Sequence, residues 1–291
     1  MNKKHIKTFL LLFIGYICYY LTRKNFSAAT LNMKNNGILN MIQIADLSSV
    51  GYIAYAVGKF INGFLTDKLG GRNMFFAGMV GSIIFTISFG ISNNYTLFLI
   101  FWGINCFFLS MGWGSIIKVS SYWFAGDKRG TILGWMSLNY QLGSTVSKLL
   151  TTFILSFPIL LWQGLFFIPA AILACMAIVI FFHLKEKPEN YIGQSEVKNK
   201  ETNTSNDKEN DNNSKWEWVH LFRSPMFLII LWGSAVFTLI RTFFDDFSPH
   251  WINSTGIKEK SSVLISSLHT IGGMAGTVLV GYLSDKIGKG N

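Results

Sequence analysis

Charge is what this sequence has least of. Only 14% of its 291 residues are Asp, Glu, Lys or Arg, while half are hydrophobic and 26 are Phe and 9 Trp, more than a soluble domain of this length buries. That argues against a soluble globular protein. Cysteine is nearly as scarce: Cys18, Cys106 and Cys175 all sit in apolar runs without CxxC spacing, which argues against disulfides and metal sites and leaves small buried hydrophobes. The five histidines form neither an HExxH pair nor a triad-like cluster, and no nucleophile, metal or nucleotide motif appears. No enzyme and no cofactor are implied. A signal-peptide cleavage site is also missing, because no small-residue site follows the first apolar run and Arg23 interrupts it. The N-terminus is read as a retained helix.

What is present is membrane-length hydrophobicity. A span needs roughly 20 mostly apolar residues to cross a hydrocarbon core of about 30 Å. Eight segments qualify, near 6–33, 45–66, 73–92, 96–124, 130–155, 159–184, 225–252 and 261–284. Between the sixth and seventh lies EKPENYIGQSEVKNKETNTSNDKENDNNSKWEW, a polar, Asn-rich tract that cannot bury a core. The expected organisation is therefore a six-helix bundle over 1–184, a disordered linker over 185–221 and a further bundle over 222–291.

The net charge of +10 raises the question of nucleic acid, and the placement of the bases answers it. Sixteen basic residues lie on one set of loops, including Lys3, Lys4, Lys68, Arg72 and seven between Lys185 and Arg223; the alternate loops hold only Lys34, Lys258 and Lys260. By the positive-inside rule the N-terminus and the central linker are cytoplasmic, and no nucleic acid is needed. The lipid bilayer is the expected surroundings.

Six bases remain, namely Arg23, Lys24, Lys59, Lys118, Lys148 and Arg241, and all fall in spans; Asp245 and Asp246 are the acids clearly there. Each ionised group near mid-bilayer costs a few kcal/mol, so an excess of about four positive charges calls for water, partners or an anion. An anion-lined cavity is the economical explanation.

Two of these bases are related. Arg23 lies in GYICYYLTRKNFSAA and Arg241 in FTLIRTFFDD, 218 positions apart, and the tracts GFLTDKLGGR at Gly63 and GYLSDKIGKG at Gly281 have the same offset. The chain is duplicated. Tyr16, Tyr19, Tyr20 and Arg23 recur at helical spacing, a face suited to a polar cavity wall, with a snorkelling arginine and aromatic belt as the alternative. Lys24 faces elsewhere and is read as snorkelling. Tyr52, Tyr55 and Lys59 align in the second span, where cavity-lining and snorkelling stay open for Lys59. Lys118 is either cavity-facing or snorkelling at the cytoplasmic end, the second reading being preferred. Gln141, Ser144 and Lys148, beside Tyr140, form a polar face that lipid would not tolerate; for Gln141 and Ser144, interhelical hydrogen bonds explain it equally well. Asp245 is spaced to pair with Arg241. His269 is placed to titrate near neutral pH or to serve as a structural hydrogen bonder.

In GFLTDKLGGR, Gly63 allows close helix approach, Asp67 can cap the next helix or pair with a base, and Gly70 turns. Gly63, Asp67, Lys68, Gly70 and Arg72 match the loop motif of the major facilitator superfamily, and Gly281, Asp285, Lys286 and Gly288 repeat it. The chain resembles that superfamily. It implies an all-α polytopic membrane protein with the major facilitator fold, the first six-helix bundle complete and two helices of the second present. In the superfamily this loop is a gating and packing element.

GYICYYLTRKNFSAA, AYAVGKF, the Gly-Trp before Lys118 and Trp123, and LIRTFFDDFSP further resemble the organophosphate:inorganic phosphate antiporters, the family of glycerol-3-phosphate and hexose-phosphate transporters. The resemblance covers essentially the whole chain. It implies exchange of a sugar phosphate or glycerol phosphate for inorganic phosphate by alternating access. It also implies that Arg23 and Arg241, one from each half, hold the phosphate with Lys59, and that Tyr16, Tyr20, Tyr55, Tyr140, Gln141 and His269 line the cavity. A transporter-like sensor of a sugar phosphate, or a carrier for another organic anion, are the alternatives.

The chain departs from the family in two places: Tyr140 stands where the glycerol-phosphate branch has a histidine, and Gly114-Ser115 where Pro-Pro is usual. The expected setting is a monomeric carrier in a bacterial inner membrane, or in the endoplasmic reticulum if the source is eukaryotic. Because such proteins have twelve spans and this chain stops after the eighth, a truncated product inactive by itself is expected.

Overall fold

The computed structural model describes residues 3–124, 129–157, 162–188 and 223–288, and among these there is helix and no strand. In chain order the helices are α1 (Lys3–Asn35), α2 (Met41–Leu69), α3 (Gly71–Ile91), α4 (Tyr95–Leu109), α5 (Met111–Trp123), α6 (Arg129–Ser137), α7 (Asn139–Ile154), α8 (Gly164–His183), α9 (Pro225–Ser254) and α10 (Glu259–Gly288). Helix is what the composition demands, because a segment in hydrocarbon must satisfy its backbone groups internally. Each of the eight expected spans carries a helix or a pair of helices. Among the described residues, five stretches are long and apolar enough to cross a membrane: α1, α3, α4 with α5, α8 and α9. The others are more polar or shorter. Thus α2 carries Lys59, Asp67 and Lys68, and the 16 residues of α7 include Gln141, Ser144 and Lys148.

The expected fourth span is two helices that meet at Ser110, and the fifth is divided at Leu138. Neither break uses Gly or Pro. The linker expected over 185–221 lies, from residue 189 onward, outside the described residues.

Local signals set several ends. Asn40 starts α2 with a reciprocal cap: its side chain accepts from the Gln43 N–H, and the Gln43 side chain accepts from the Asn40 N–H, both at 2.9 Å. At the far end Gly70 takes φ +85°, a conformation that L side chains rarely adopt, and reverses the chain into α3.

The chain divides into two compact units, Met1–Lys187 with Asp246–Asn291, and Pro188–Asp245. In the first, α1 is central, packed against α3, α5, α7 and α8, with α2 against α4 and α10 against α7. One apolar cluster gathers Leu12, Tyr19, Phe75, Met79, Ile116 and Ile180; a second gathers Phe26, Leu47, Phe89, Phe98, Trp102 and Phe166. Cys18 and Cys106 are buried as expected of small hydrophobes, whereas Cys175 is exposed on the outer side of α8. In the second unit the described residues are 223–245, mainly the first part of α9, whose Trp232, Phe237 and Leu239 are exposed.

Candidate functional site

The charged centre of the first unit is built on α1. Arg23, half-buried, lays its guanidinium over the Tyr55 ring of α2 at 4.0 Å from the centroid and lies 5.7 Å from the ring of Tyr20. Among the described residues no carboxylate pairs with it. Its neighbour Lys24 is handled differently. The Lys24 Nζ donates to Asp246 Oδ1 at 2.7 Å, the Tyr52 hydroxyl donates to Asp246 Oδ2, and the Ser27 hydroxyl donates to the Asp246 carbonyl. A bond at 3.1 Å between Thr30 Oγ1 and His250 Nε2 continues the same seam.

These groups enclose a small cavity of about 30 Å³, lined by Arg23, Lys24, Ser48, Tyr52, Tyr55, Trp102, Cys106 and Asp246. That is room for about one or two waters. Its lining offers two cations against one carboxylate, so the local surplus is positive.

The pairing of Lys24 with Asp246 is what reading the sequence missed. Lys24 is 7% exposed and ion-paired rather than snorkelling, because Asp246 meets it from α9. A net count of charges inside the spans pointed to both residues; nothing local pointed to their pairing.

The other expected cavity residues are placed as follows. Tyr16 and Tyr20 are buried in an aromatic stack, edge to ring at 5.1 Å, with Tyr140 against Tyr20 at 5.2 Å and Trp113 against Tyr16 at 5.8 Å. Neither lines the Arg23 cavity. Tyr19 donates its hydroxyl to the Phe75 carbonyl at 2.6 Å. Gly78, Gly112 and Gly143 each face one of these tyrosines so closely that an added Cβ would collide with it, and so three glycines seat three rings. Gln141 and Lys148 turn toward α10. Lys148 is 2% exposed and donates to the Ser266 carbonyl at 3.0 Å and to Thr270 Oγ1 at 3.2 Å; Gln141 lies beside Gly273. His269 is exposed, off the Ser266–Thr270 face, and Arg241 is exposed on α9 in the second unit.

Lys59 lies 5.2 Å from the centroid of the same Tyr55 ring that carries Arg23, yet it faces a separate cavity of about 180 Å³. Tyr55 itself lines only the Arg23 cavity.

At the glycine-rich loop, Asp67 pairs with Lys118 of α5 at 2.8 Å, so of its two expected roles it takes the pairing. Lys118 is thus partnered at this loop, about a quarter exposed. The capping is done by Glu186, just beyond α8: its two oxygens accept from the N–H groups of Gly71 and Arg72 at 2.8 and 2.5 Å. A carboxylate at a helix start meets both orphan donors and the dipole. Arg72 donates to the Phe181 carbonyl at 2.7 Å, and Trp123 to the Lys185 carbonyl at 3.0 Å. Lys68 is exposed. Nothing lies within 4 Å of a Cβ built on Gly63, so close helix approach is not what this glycine provides among the described residues. Asp285 and Lys286 fall on α10, where only the backbone is described.

Comparison with known proteins gives a consistent picture. The profile of the Major Facilitator Superfamily matches residues 12–291. A probable hexose phosphate transport protein of Chlamydia pneumoniae is 26% identical over 98% of this chain and 66% of its own length. The membrane sensor protein UhpC of Escherichia coli is 24% identical over 99% of the chain and 66% of its own, and a glycerol-3-phosphate transporter of Bacillus subtilis 26% over 99% and 66%. The chain thus spans about two thirds of these curated relatives. Among solved structures, a bacterial homologue of the human lysosomal transporter Spinster, inward-facing and unoccupied, superposes with a TM-score of 0.77 at 16% identity, over 98% of this chain and 64% of that one.

Proposed function

Since this chain belongs to the major facilitator superfamily, we propose that it serves the exchange of a phosphorylated sugar or glycerol phosphate for inorganic phosphate across a membrane. The observation that carries this reading is Arg23, a half-buried guanidinium that no described carboxylate neutralises, while the adjacent Lys24 has Asp246. Holding a charge in such a place is costly unless an anion visits. A guanidinium offers two parallel donors to a phosphate, so the ligand favoured is a dianionic tetrahedron rather than a simple halide.

In this reading residues 1–184 and 222–291 belong to two halves joined by the linker 185–221, and Arg241 is the second half's counterpart of Arg23. Each half gives one arginine to the phosphate, the bound anion draws the halves together, and their rocking exposes the site to either side in turn. Without an anion the positive surplus opposes closure, which makes the movement an obligate exchange. Tyr55 and Lys59 complete the anion's surroundings, and the loop from Gly63 to Arg72, with Asp285 and Lys286 in the repeat, gates it. The bilayer is a bacterial inner membrane, with the N-terminus and linker cytoplasmic. The names of the hexose phosphate and glycerol-3-phosphate relatives support the substrate class.

The test is exchange of labelled phosphate against glycerol 3-phosphate or glucose 6-phosphate in vesicles, with these residues carried in a protein of the relatives' full length. The expected result is exchange that falls about tenfold or more in Arg23→Lys and Arg241→Lys, because an ammonium lacks the bidentate fork. Absence of exchange in the wild type, or full exchange in both variants, sinks the proposal. A second reading is favoured by the likeness to a membrane sensor; binding of the sugar phosphate without its transport is the result that selects it.

A further inference from the structure

α1 begins with charge of the wrong sign for a helix start. Lys3, Lys4 and Lys7 lie in its first two turns, the first turn holds no acid, and among the described residues no carboxylate pairs with Lys3 or Lys7. Cations therefore crowd the positive end of the dipole of a 33-residue helix, a place that favours anions. Lys3 and Lys7 are also aligned. They stand four apart and share a face, which Leu10 and Ile14 continue at helical spacing.

This stripe borders a groove. α1 and α8 run antiparallel, since a Cβ built on Gly15 would meet Ile180 Cδ1 while Asn25 Nδ2 donates to the Leu165 carbonyl at 2.7 Å. Beside them opens a groove of about 380 Å³, whose lining includes Lys3, Lys7, Leu10 and Ile14 of α1 with Met176 and Val179 of α8. Its charge is all at one end. Met176 and Val179 flank the Ile14 end, and Leu10, Ile14 and Val179 are exposed there as an apolar track. From Lys3 to Ile14 the helix rises about 16 Å, close to half of a hydrocarbon core of about 30 Å. The groove thus has the depth of one leaflet. A larger groove of about 460 Å³ between α2 and α4 gives the contrast: its lining, Val57 and Phe107 included, carries no polar side chain and selects nothing beyond hydrocarbon.

We propose that the α1–α8 groove binds one anionic phospholipid from the leaflet at the N-terminal end of α1. The headgroup phosphate lies on Lys3 and Lys7, whose stems reach to the interface, and an acyl chain follows Leu10 and Ile14. The site is separate from the Arg23 cavity and does not depend on the exchange proposed above.

The experiment mixes the full chain, purified in detergent, with equal amounts of dioleoyl phosphatidylglycerol and dioleoyl phosphatidylcholine and counts the retained lipid by native mass spectrometry. Each lysine beside an anionic headgroup is worth about fivefold in affinity, so the wild type should favour the anionic lipid by about twenty-fivefold. Lys7→Gln should lose about fivefold of that preference, and the double variant Lys3→Gln, Lys7→Gln nearly all of it. Lys4→Gln makes the same charge change at the same depth but off the groove lining, and should stay within about twofold of wild type. Ile14→Trp fills the acyl end with the lysines untouched and should cut retention of the anionic lipid about fivefold or more. Equal effects of Lys4→Gln and Lys7→Gln, or no effect of Ile14→Trp, would reduce the site to diffuse attraction by a basic surface and overturn the proposal. Displacement of the lipid by excess glycerol 3-phosphate would overturn it too, since the lysines would then be a soluble phosphate site. Should a variant not fold, the wild type decides by itself: equal retention of both lipids refutes the site.

Discussion

Two lysine–aspartate pairs in this molecule have nearly the same length, 2.7 Å for Lys24 with Asp246 and 2.8 Å for Lys118 with Asp67, and very different surroundings. The side chains of the first pair are 7% and 20% exposed; those of the second, 26% and 72%. Water screens the second pair and replaces either partner readily, so its contribution is about 0.2–1 kcal/mol. Around the first pair water is scarce, and an ion that loses this partner there is poorly solvated. Burial, not distance, therefore decides what each contact is worth, and Arg23 beside the buried pair is the same case with its partner removed.

The strongest way to break this comparison is Asp246→Ala, which removes the buried carboxylate from the Lys24 ammonium and takes away the acceptor of Tyr52. Thermal unfolding in detergent should report a loss of about 3–5 kcal/mol, with most of it recovered in the double variant Lys24→Met, Asp246→Leu. Near-wild-type stability in the single variant would show that the first pair is as solvated as the second.

Arg23→Met sharpens the contrast from the other side and with the opposite sign. A charge that costs about 2.5–3.5 kcal/mol to hold within a span is only partly offset by the ring contact with Tyr55. The variant should be more stable by about 1–2 kcal/mol while losing phosphate binding, a separation of stability from function that Lys24 cannot show. A clear fall in stability would mean that Arg23 has a structural partner after all.

Next in size, Glu186→Ala leaves the Gly71 and Arg72 N–H groups uncapped and should cost about 1 kcal/mol, seen as faster amide exchange at the start of α3. The smallest effect is expected from Asp67→Asn, at most about 1 kcal/mol, and 0.5 M salt should erase its difference from wild type. A salt-independent loss would move the outer pair into the class of the inner one.

What could be read in advance follows the range of the interactions. The helices were legible because a run of membrane length is a local property, and Arg23 because a cation in such a run is anomalous wherever its partner lies. The breaks at Ser110 and Leu138 were not, since neither residue signals a turn. Lys24 was misjudged for a related reason: its neutralising group is 222 positions away, and the helical pattern says which face a residue occupies but not what meets that face. The tyrosines show the same limit. Their spacing correctly put Tyr16 and Tyr20 on one face of α1, but Gly112 and Gly143 on other helices draw those rings into packing. The cap of α3 likewise comes from Glu186, 115 residues from Gly71 and at the edge of a tract whose composition suggested only a linker.

Tyr55 holds Arg23 at 4.0 Å and Lys59 at 5.2 Å from a single ring. Two cations that share one aromatic face also share its negative quadrupole, so neither contact is independent of the other. Substitutions of Arg23 and Lys59 should therefore be non-additive, although the two residues pair with no common carboxylate among the described residues.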